Sequence, residues 1–219
     1  MNKIFGEYYY ELIDITTRSL YVSGAATILA FSWSIFVAYL LATRERIEII
    51  SSIIESMVGI PTVVLGLLLY FLFSRSGPLG MLNLLYTPTA MIIGESILIT
   101  PILISTTFRV LRNTIQTYGE FALSIGATKI QTIKLVFRES YPGIIAAVIM
   151  AFSRAIGELG VALMVGGNIK GYTRVLTTAI ALGVSKGEFE SSLLLGLVLI
   201  GIMIITSVSL KIISRVYRI

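Results

Sequence analysis

Three ionisable residues interrupt long apolar stretches of the sequence and are its strongest candidates for chemistry. Glu95 lies within 87–108, while Arg154 and Glu158 lie within 142–165. A charged side chain at the centre of a bilayer costs roughly 2.5–3.5 kcal/mol on insertion scales, so such residues should face other helices or water. In that setting a guanidinium and a carboxylate can form an ion pair, attract an anion or hold a cation.

The composition excludes most other chemistry. The chain contains no cysteine and no histidine, so a disulfide, a thiol nucleophile, imidazole catalysis and a typical zinc site are ruled out. We expect no other metal and no cofactor, and the lack of a Lys/Arg-rich run argues against a nucleic-acid partner. Only 13% of the 219 residues are charged and 56% are hydrophobic, against about 25% charged in a soluble domain. A soluble enzyme and a disordered chain are therefore excluded.

The apolar stretches predict an all-α, polytopic membrane protein with about five transmembrane helices. Roughly 20 apolar residues cross a hydrocarbon core of about 30 Å. The expected spans are 19–43, 56–74, 87–108, 142–165 and 191–210. An external segment, 1–18, would precede a transmembrane domain, 19–214. The first span carries Trp33 and no charge, so we assign it to packing and to the lipid boundary.

Lysine and arginine residues are distributed unequally between the two faces of this arrangement. One face would carry ten of them: Arg44, Arg46, Arg109, Arg112, Lys129, Lys134, Arg138, Lys211, Arg215 and Arg218. The other would carry six: Lys3, Arg18, Arg75, Lys170, Arg174 and Lys186. Because cytoplasmic loops are enriched in these residues, we predict a multi-pass protein of the cell membrane with its N-terminus outside and its C-terminus in the cytoplasm.

The depths of the intramembrane charges suggest a partnership. If span four enters from the cytoplasm near Pro142, Arg154 lies about 18 Å deep; if span three enters from outside near Pro88, Glu95 lies about 10 Å from the outer face. These depths nearly coincide, so we predict an Arg154–Glu95 ion pair, with Glu158 one turn beyond Arg154 on the same face. The pair could fix helix packing, or Arg154 could present positive charge to a dianion. Glu158 argues against a simple anion site.

The cytoplasmic loop 113–140 is predicted to form two short helices. Thr-x-x-Glu at 117–120 and Thr-x-x-Gln at 128–131 are capping-box patterns, and Gly126 between them can end the first helix. Pro142 would then lie in the first turn of span four. Such a loop could rest on lipid headgroups, or it could be a rigid element on which a soluble partner docks.

Several stretches resemble a known family. The run Glu120-Phe121-Ala122-x3-Gly126 resembles the E-A-A-x3-G signature of ATP-binding-cassette importer permeases, and Gly126-Ala127-Thr128 resembles its G-A-[ST] continuation. The stretches 153–160 and 164–169 resemble permeases of the molybdate/tungstate type, and 59–70, 74–80 and 176–187 resemble their tungstate branch. The sequence departs from the signature at Phe121, which replaces an alanine, and at 138–139, where Arg-Glu replaces Leu-Pro.

The resemblance implies a type I importer permease that carries no catalytic chemistry itself. It implies that a coupling helix sits in a groove of a cytoplasmic ATPase and includes Glu120, Phe121, Ala122, Gly126, Ala127 and Thr128. The sequence has no G-x-x-x-x-G-K-[ST] loop, so the ATPase would be a separate subunit. An external loop, 166–190, would form a gate and receive an oxyanion-binding protein through Gly166, Gly167, Asn168, Lys170 and Arg174. A second permease copy would complete the channel, and tungstate or molybdate would be the substrate.

Two other functions remain open on the sequence. An ion-driven secondary transporter or channel could use Glu95 and Glu158 as ion sites. A structural membrane scaffold is also possible, although it would leave the capped loop without a purpose. The loop 166–190 could equally be a surface loop without a role in gating.

Overall fold

The architecture was obtained as a computed structural model, which describes residues 2–44 and 47–216, with side-chain surroundings for 9–44, 47–119, 121–209 and 211–212. Within these ranges the regular secondary structure is helical throughout, and no strand is present. The helices are α1 (Asn2–Ala42), α2 (Glu48–Met57), α3 (Thr62–Phe73), α4 (Pro88–Thr114), α5 (Glu120–Ser124), α6 (Lys129–Ile156), α7 (Gly160–Gly166), α8 (Leu176–Lys186) and α9 (Phe189–Val216). Arg46 and Arg218, which contribute to the predicted charge bias, lie outside the described residues.

Four helices, α1, α4, α6 and α9, are long and apolar enough to cross a membrane. The pair α2 and α3 raises the number to five if it is taken as one span, but the two helices are bent by 89° at their junction. The predicted second span, 56–74, is wrong in this respect, since its first residues belong to α2. Pro61 at the junction cannot donate a backbone hydrogen bond, which favours ending one helix there and starting another.

The predicted fourth span also differs from the structure. The second loop helix and the span are one continuous helix, α6, and Pro142 lies in its interior rather than in a first turn. The helix then ends at Ile156, well before the predicted end at 165, and α7 follows after a three-residue break. The third and fifth expected spans correspond to α4, which Thr87 caps, and to α9.

Helices α1, α4 and α6 form the centre of the bundle. Ala30 of α1 packs with Ile99 and Leu103 of α4 and with a row of alanines on α6, all fully or almost fully buried. Small residues let helices approach closely where no hydrophobic effect drives their association. Contacts between Ser23 and Glu95 and between Trp33 and Thr100 show that α1 and α4 run in the same direction.

The external loop contains a helix of its own. The apolar stretch 175–184 forms most of α8, which runs antiparallel to α1, because Leu176 is bonded to Ser19 while Ala179 packs on Ile15. We call the end of the bundle that holds 166–190 the α8 end, and the opposite end, which holds α5, the α5 end. The segment 1–18, expected to be a separate external region, is part of α1 from Asn2 onward.

Close backbone packing holds α7 against α3. A Cβ atom added at Gly160 would lie 2.5 Å from Thr62 Oγ1 and 2.9 Å from the Val63 backbone nitrogen. We therefore expect Gly160→Ala to lower the free energy of unfolding by about 1–3 kcal/mol, since the backbone must shift to admit the methyl group. The matched control is Gly196→Ala on α9, where no atom lies within 4 Å of the added Cβ. Thermal unfolding in detergent measures both, and equal midpoints would contradict the expectation.

Candidate functional site

The segment after α4 forms a tightly capped turn. Five residues in π-helical geometry, Ile115–Gly119, lead into α5 without an interruption. Gly126 adopts φ +88°, and the backbone N–H groups of Ala127 and Gly126 donate to the carbonyls of Ala122 (3.0 Å) and Leu123 (3.1 Å). This is a Schellman cap, so the predicted helix end at Gly126 is confirmed.

One of the two predicted capping boxes is present. The Thr128 hydroxyl accepts from the Gln131 N–H, and the Gln131 side chain accepts from the Thr128 N–H at 2.8 Å. The box expected at 117–120 is wrong, because the Thr117 hydroxyl donates to the Asn113 carbonyl and α5 continues the preceding helix. The Glu120 side chain lies outside the described residues. Because helix caps on both sides fix its backbone, the segment 125–128 is rigid. We call it, together with the ends of the two helices that flank it, the projection.

The projection presents apolar side chains to its surroundings. Phe121, Ile125 and Ile130 are 63–70% exposed and lie together on either side of the capped turn at Gly126. Ala122, in contrast, is buried within the chain, so its small size has a cause inside this subunit. Sequence reasoning singled out Phe121 but not Ile125 or Ile130; the available signal was a cluster of apolar residues around a glycine turn.

The charges inside the bundle meet at the break between α6 and α7. Arg154 Nη1 lies 2.6 Å from Glu158 Oε2, and Glu158 Oε1 accepts from the Val161 backbone N–H at 3.1 Å. Glu158 is therefore both the partner of Arg154 and the cap of α7. Its carboxylate is buried, whereas the Arg154 side chain is 36% exposed. The predicted pairing of Arg154 with Glu95 is wrong, because Arg154 pairs with Glu158 four residues further on, while Glu95 accepts from the Ser23 hydroxyl.

Glu95 has a different environment. It is fully buried and accepts a hydrogen bond from the Ser23 hydroxyl at 3.0 Å, and no salt bridge to it occurs in the described part of the chain. Ser19, Ser23 and Thr27 form a buried polar stripe on α1, although the first span was expected to serve only packing and lipid contact. Their spacing of four residues was the signal for one helical face.

Two hydrogen bonds connect α8 to the residues around these carboxylates. The Thr177 hydroxyl donates to the Glu158 carbonyl at 2.7 Å, and the Ser19 hydroxyl accepts from the Leu176 N–H at 2.8 Å. Both carboxylates are consequently sealed from solvent, while the remaining accessible charge belongs to Arg154. An ion site that exchanges with water would need an open carboxylate, so this arrangement gives the ion-driven hypothesis no support.

The five residues predicted at the external gate lie close together at the α8 end. Gly166 accepts from the Thr173 hydroxyl, Asn168 Nδ2 donates to the Thr178 carbonyl at 3.3 Å, and Arg174 Nε donates to Asn168 Oδ1 at 3.2 Å. Gly167 lies against the ring of Tyr86. Lys170 and Arg174 both pair with Glu11 of α1, at 2.8 and 3.4 Å.

Tyr86 joins this group to α4 and was missed by sequence reasoning. Its N–H donates to the Val165 carbonyl at 2.7 Å, and a Cβ atom added at Gly167 would meet its ring at 2.6 Å. Tyr86 also has φ +63°, a conformation that bulky residues rarely adopt. The interlocking backbone and ring contacts hold it there, so the loop before α4 and the loop after α7 form one unit.

Comparison with known proteins gives consistent matches. Residues 30–219 match the family described as "Binding-protein-dependent transport system inner membrane component". The chain is 38% identical over 200 residues to the "Probable anion ABC transporter permease protein" of Haloferax volcanii, covering 88% of this chain and 86% of the relative. It is 39% identical over 192 residues to the "Tungstate uptake system permease protein TupB" of Peptoclostridium acidaminophilum, covering 87% and 84%.

A solved structure matches as well. The crystal structure of an amino acid ABC transporter with histidines contains a chain that superimposes with a TM-score of 0.66 at 18% identity, and 96% of each chain is covered. At this identity the likeness shows the fold alone. The order of helices therefore belongs to a fold found in an ABC transporter.

The Arg154–Glu158 contact should be energetically coupled. A single Glu158→Gln change removes the charge that faces Arg154 but keeps an oxygen for the Val161 N–H, so we expect a loss of about 1–3 kcal/mol, below that of a fully buried pair because Arg154 is partly exposed. In the double variant with Arg154→Gln the losses should not add, leaving a coupling of about 1 kcal/mol. Unfolding midpoints of the four proteins measure it, and strict additivity would contradict the ion pair.

Proposed function

The chain belongs to the family of binding-protein-dependent transport system inner membrane components, and we propose that it is the channel subunit of an importer for a tetrahedral oxyanion, tungstate or molybdate. Its fold is that of a type I ABC importer permease. The observation that carries the proposal is the capped projection at the α5 end. Its exposed apolar residues belong to a short segment that joins α4 directly to α6. The relatives named as tungstate and anion permeases support the choice of substrate.

The projection is the surface on which the ATPase that drives transport would dock. The sequence lacks a phosphate-binding P-loop, so ATP hydrolysis belongs to a separate cytoplasmic ATPase. Phe121 and Ile125 would enter an apolar groove on that partner, while the Schellman cap and the Thr128 box keep the turn rigid. A displacement of the turn is then transmitted to α4 and α6 rather than absorbed locally, and the bundle alternates between inward-open and outward-open states.

The internal charges fit a pathway that attracts an oxyanion weakly. Arg154 offers a partly accessible guanidinium, but Glu158 neutralises most of its field at 2.6 Å. Conduction requires a site favourable enough to enter and weak enough to leave. A dianion delivered by an external binding protein at the α8 end, near Lys170 and Arg174, would pass Arg154 without being trapped.

The pathway would lie between two copies of the chain. Helix α3 exposes much of its apolar surface, including Val64, Leu68 and Phe71, and few residues of α9 are buried in the single subunit. A homodimer with closed two-fold symmetry would cover part of these surfaces, and lipid would cover the rest.

The docking role is tested with Phe121→Glu and Ile125→Glu. Both side chains are exposed, so the fold should persist, while a carboxylate in an apolar groove should reduce the amount of ATPase that co-purifies by about tenfold or more. Ser52→Glu on α2 is the control, because it adds the same charge at an exposed position of another helix. Undiminished ATPase recovery in both test variants would refute docking at this turn.

The orientation is tested by cysteine labelling, which is clean because the chain has no cysteine of its own. In intact cells a membrane-impermeant maleimide should label Lys170→Cys, an exposed position at the α8 end, but should label Ser124→Cys only after permeabilisation. This follows from the excess of Lys and Arg on the α5 side. The reverse labelling pattern would place the capped turn outside the cell and would exclude an ATPase partner there.

A further inference from the structure

A cavity of about 250 Å³ lies at the α8 end between α1, α8 and α9. None of its lining residues takes part in the Arg154–Glu158 or Glu95 contacts. One of them, Arg174, is also a predicted gate residue and pairs with Glu11. Helices α1 and α9 have little mutual contact, whereas α8 packs against both. The other lining residues have no part in the transport route proposed above.

Along each of the three helices the residues that line this cavity change from polar to apolar in the same direction. On α1 the lining runs from Glu11 to Ile15, and on α8 it runs from Lys186 inward to Ala179. The third side begins at Glu188, just before α9, and runs inward along α9 to Leu195. Because α8 is antiparallel to α1, and α9 turns back after Gly187, the polar residues of all three lie at one level and the apolar residues lie deeper. A lining that changes from charged to apolar in one direction suits an amphiphile.

The polar residues of the lining include acidic and basic side chains, and some of them form no interaction within the described residues. Glu11 is engaged with Lys170 and Arg174. Lys186 and Glu188 line the cavity but have neither an ion pair nor a side-chain hydrogen bond within the described residues. Both residues are exposed and lie two positions apart in the connection from α8 to α9. An ammonium and a carboxylate placed in this way complement a ligand that itself carries one anion and one cation.

Exposed tyrosines lie near the polar side of the cavity. Tyr9, Tyr10 and Tyr172 are 49–78% exposed. Tyrosine is enriched at the level of the headgroups, where its ring is in apolar surroundings and its hydroxyl is wet. Below this level Ile15 and Ala179 are buried, and Leu195, Val198 and Ile202 pack against them, which gives an apolar track between α1 and α9.

We propose that this cavity binds the headgroup of a glycerophospholipid bearing a primary amine. The Lys186 ammonium and the Ser191 hydroxyl donate to the phosphate, and the lipid amine donates to the Glu188 carboxylate. The hydrocarbon chains follow the track past Leu195. A quaternary choline headgroup keeps the positive charge but has no N–H to donate to Glu188, and a glycerol headgroup has no cation, so each matches the site less fully.

The test uses the permease purified together with its ATPase. The complex is exchanged in turn into phosphatidylethanolamine, phosphatidylcholine and phosphatidylglycerol, delipidated with detergent, and examined by native mass spectrometry. We expect about one phosphatidylethanolamine retained per permease copy, with at least about fivefold lower occupancy for the other two lipids. The pair of changes Lys186→Ala and Glu188→Gln should lower phosphatidylethanolamine occupancy about tenfold.

Glu190→Gln is the matched control, since Glu190 is an exposed acid on the same turn that does not line the cavity. It should retain the lipid as the unaltered complex does. Equal retention of the three lipids, or unchanged retention in the Lys186/Glu188 variant, would overturn the proposal. ATPase co-purification confirms that each variant is folded, because these residues lie at the opposite end from the capped turn.

A second copy of the chain is the competing occupant. Because the chain has no cysteine, Ser191→Cys reports on it directly under oxidising conditions. A disulfide-linked dimer would place the cavity at a subunit interface and overturn the lipid assignment. Failure to cross-link, together with the headgroup preference, supports it.

Discussion

The structure depends on one requirement, that a helix broken inside the membrane must leave no backbone polar group unsatisfied. Lipid offers no hydrogen-bond partner, so the break between α6 and α7 is possible only where the protein supplies them. Glu158 meets the requirement at its side chain by accepting from Val161 and at its carbonyl by accepting from Thr177. Arg154 then compensates the charge that this cap introduces. The acidic residue that first suggested chemistry is thus explained by the geometry of the backbone.

Helix α6 connects the break to the opposite end of the membrane domain. Helix α6 extends without interruption from the Thr128 cap to the break, 28 residues or about 42 Å. The capped turn is attached to one end of this rod and the Arg154–Glu158 contact to the other. Helix α8 holds the break through Thr177, and Tyr86 holds α7 to the loop before α4. The two ends of the membrane domain are therefore linked by stiff elements, which is what a transporter driven from one side requires.

The sequence was informative where a local pattern decides the outcome. The Thr128 box, the left-handed Gly126 and the spans that became α4 and α9 depend on neighbours within a few residues or on hydrophobic length alone. It failed where partners are set by tertiary contacts. Depth arithmetic placed Arg154 beside Glu95 because depth alone does not say toward which helix a side chain points, and the hydroxyl that Glu95 actually uses lies 72 residues earlier, on Ser23. Pro142 signalled a helix start because a proline inside a helix is rare, yet α6 tolerates one. No local pattern distinguishes these cases.

The π-helical residues 115–119 carry a consequence for how such subunits diversify. A π turn holds one residue more than an α turn, and each residue of an α-helix accounts for about 100° of rotation around the axis. Gaining or losing a single residue here can be absorbed by a change between a π turn and an α turn, so that α4 and α5 keep their relative azimuth. The direction in which Phe121 points is consequently preserved through a one-residue insertion or deletion, without any substitution among the membrane-embedded contacts. The length of this connection can in this way change during divergence without disturbing either the docking surface or the core.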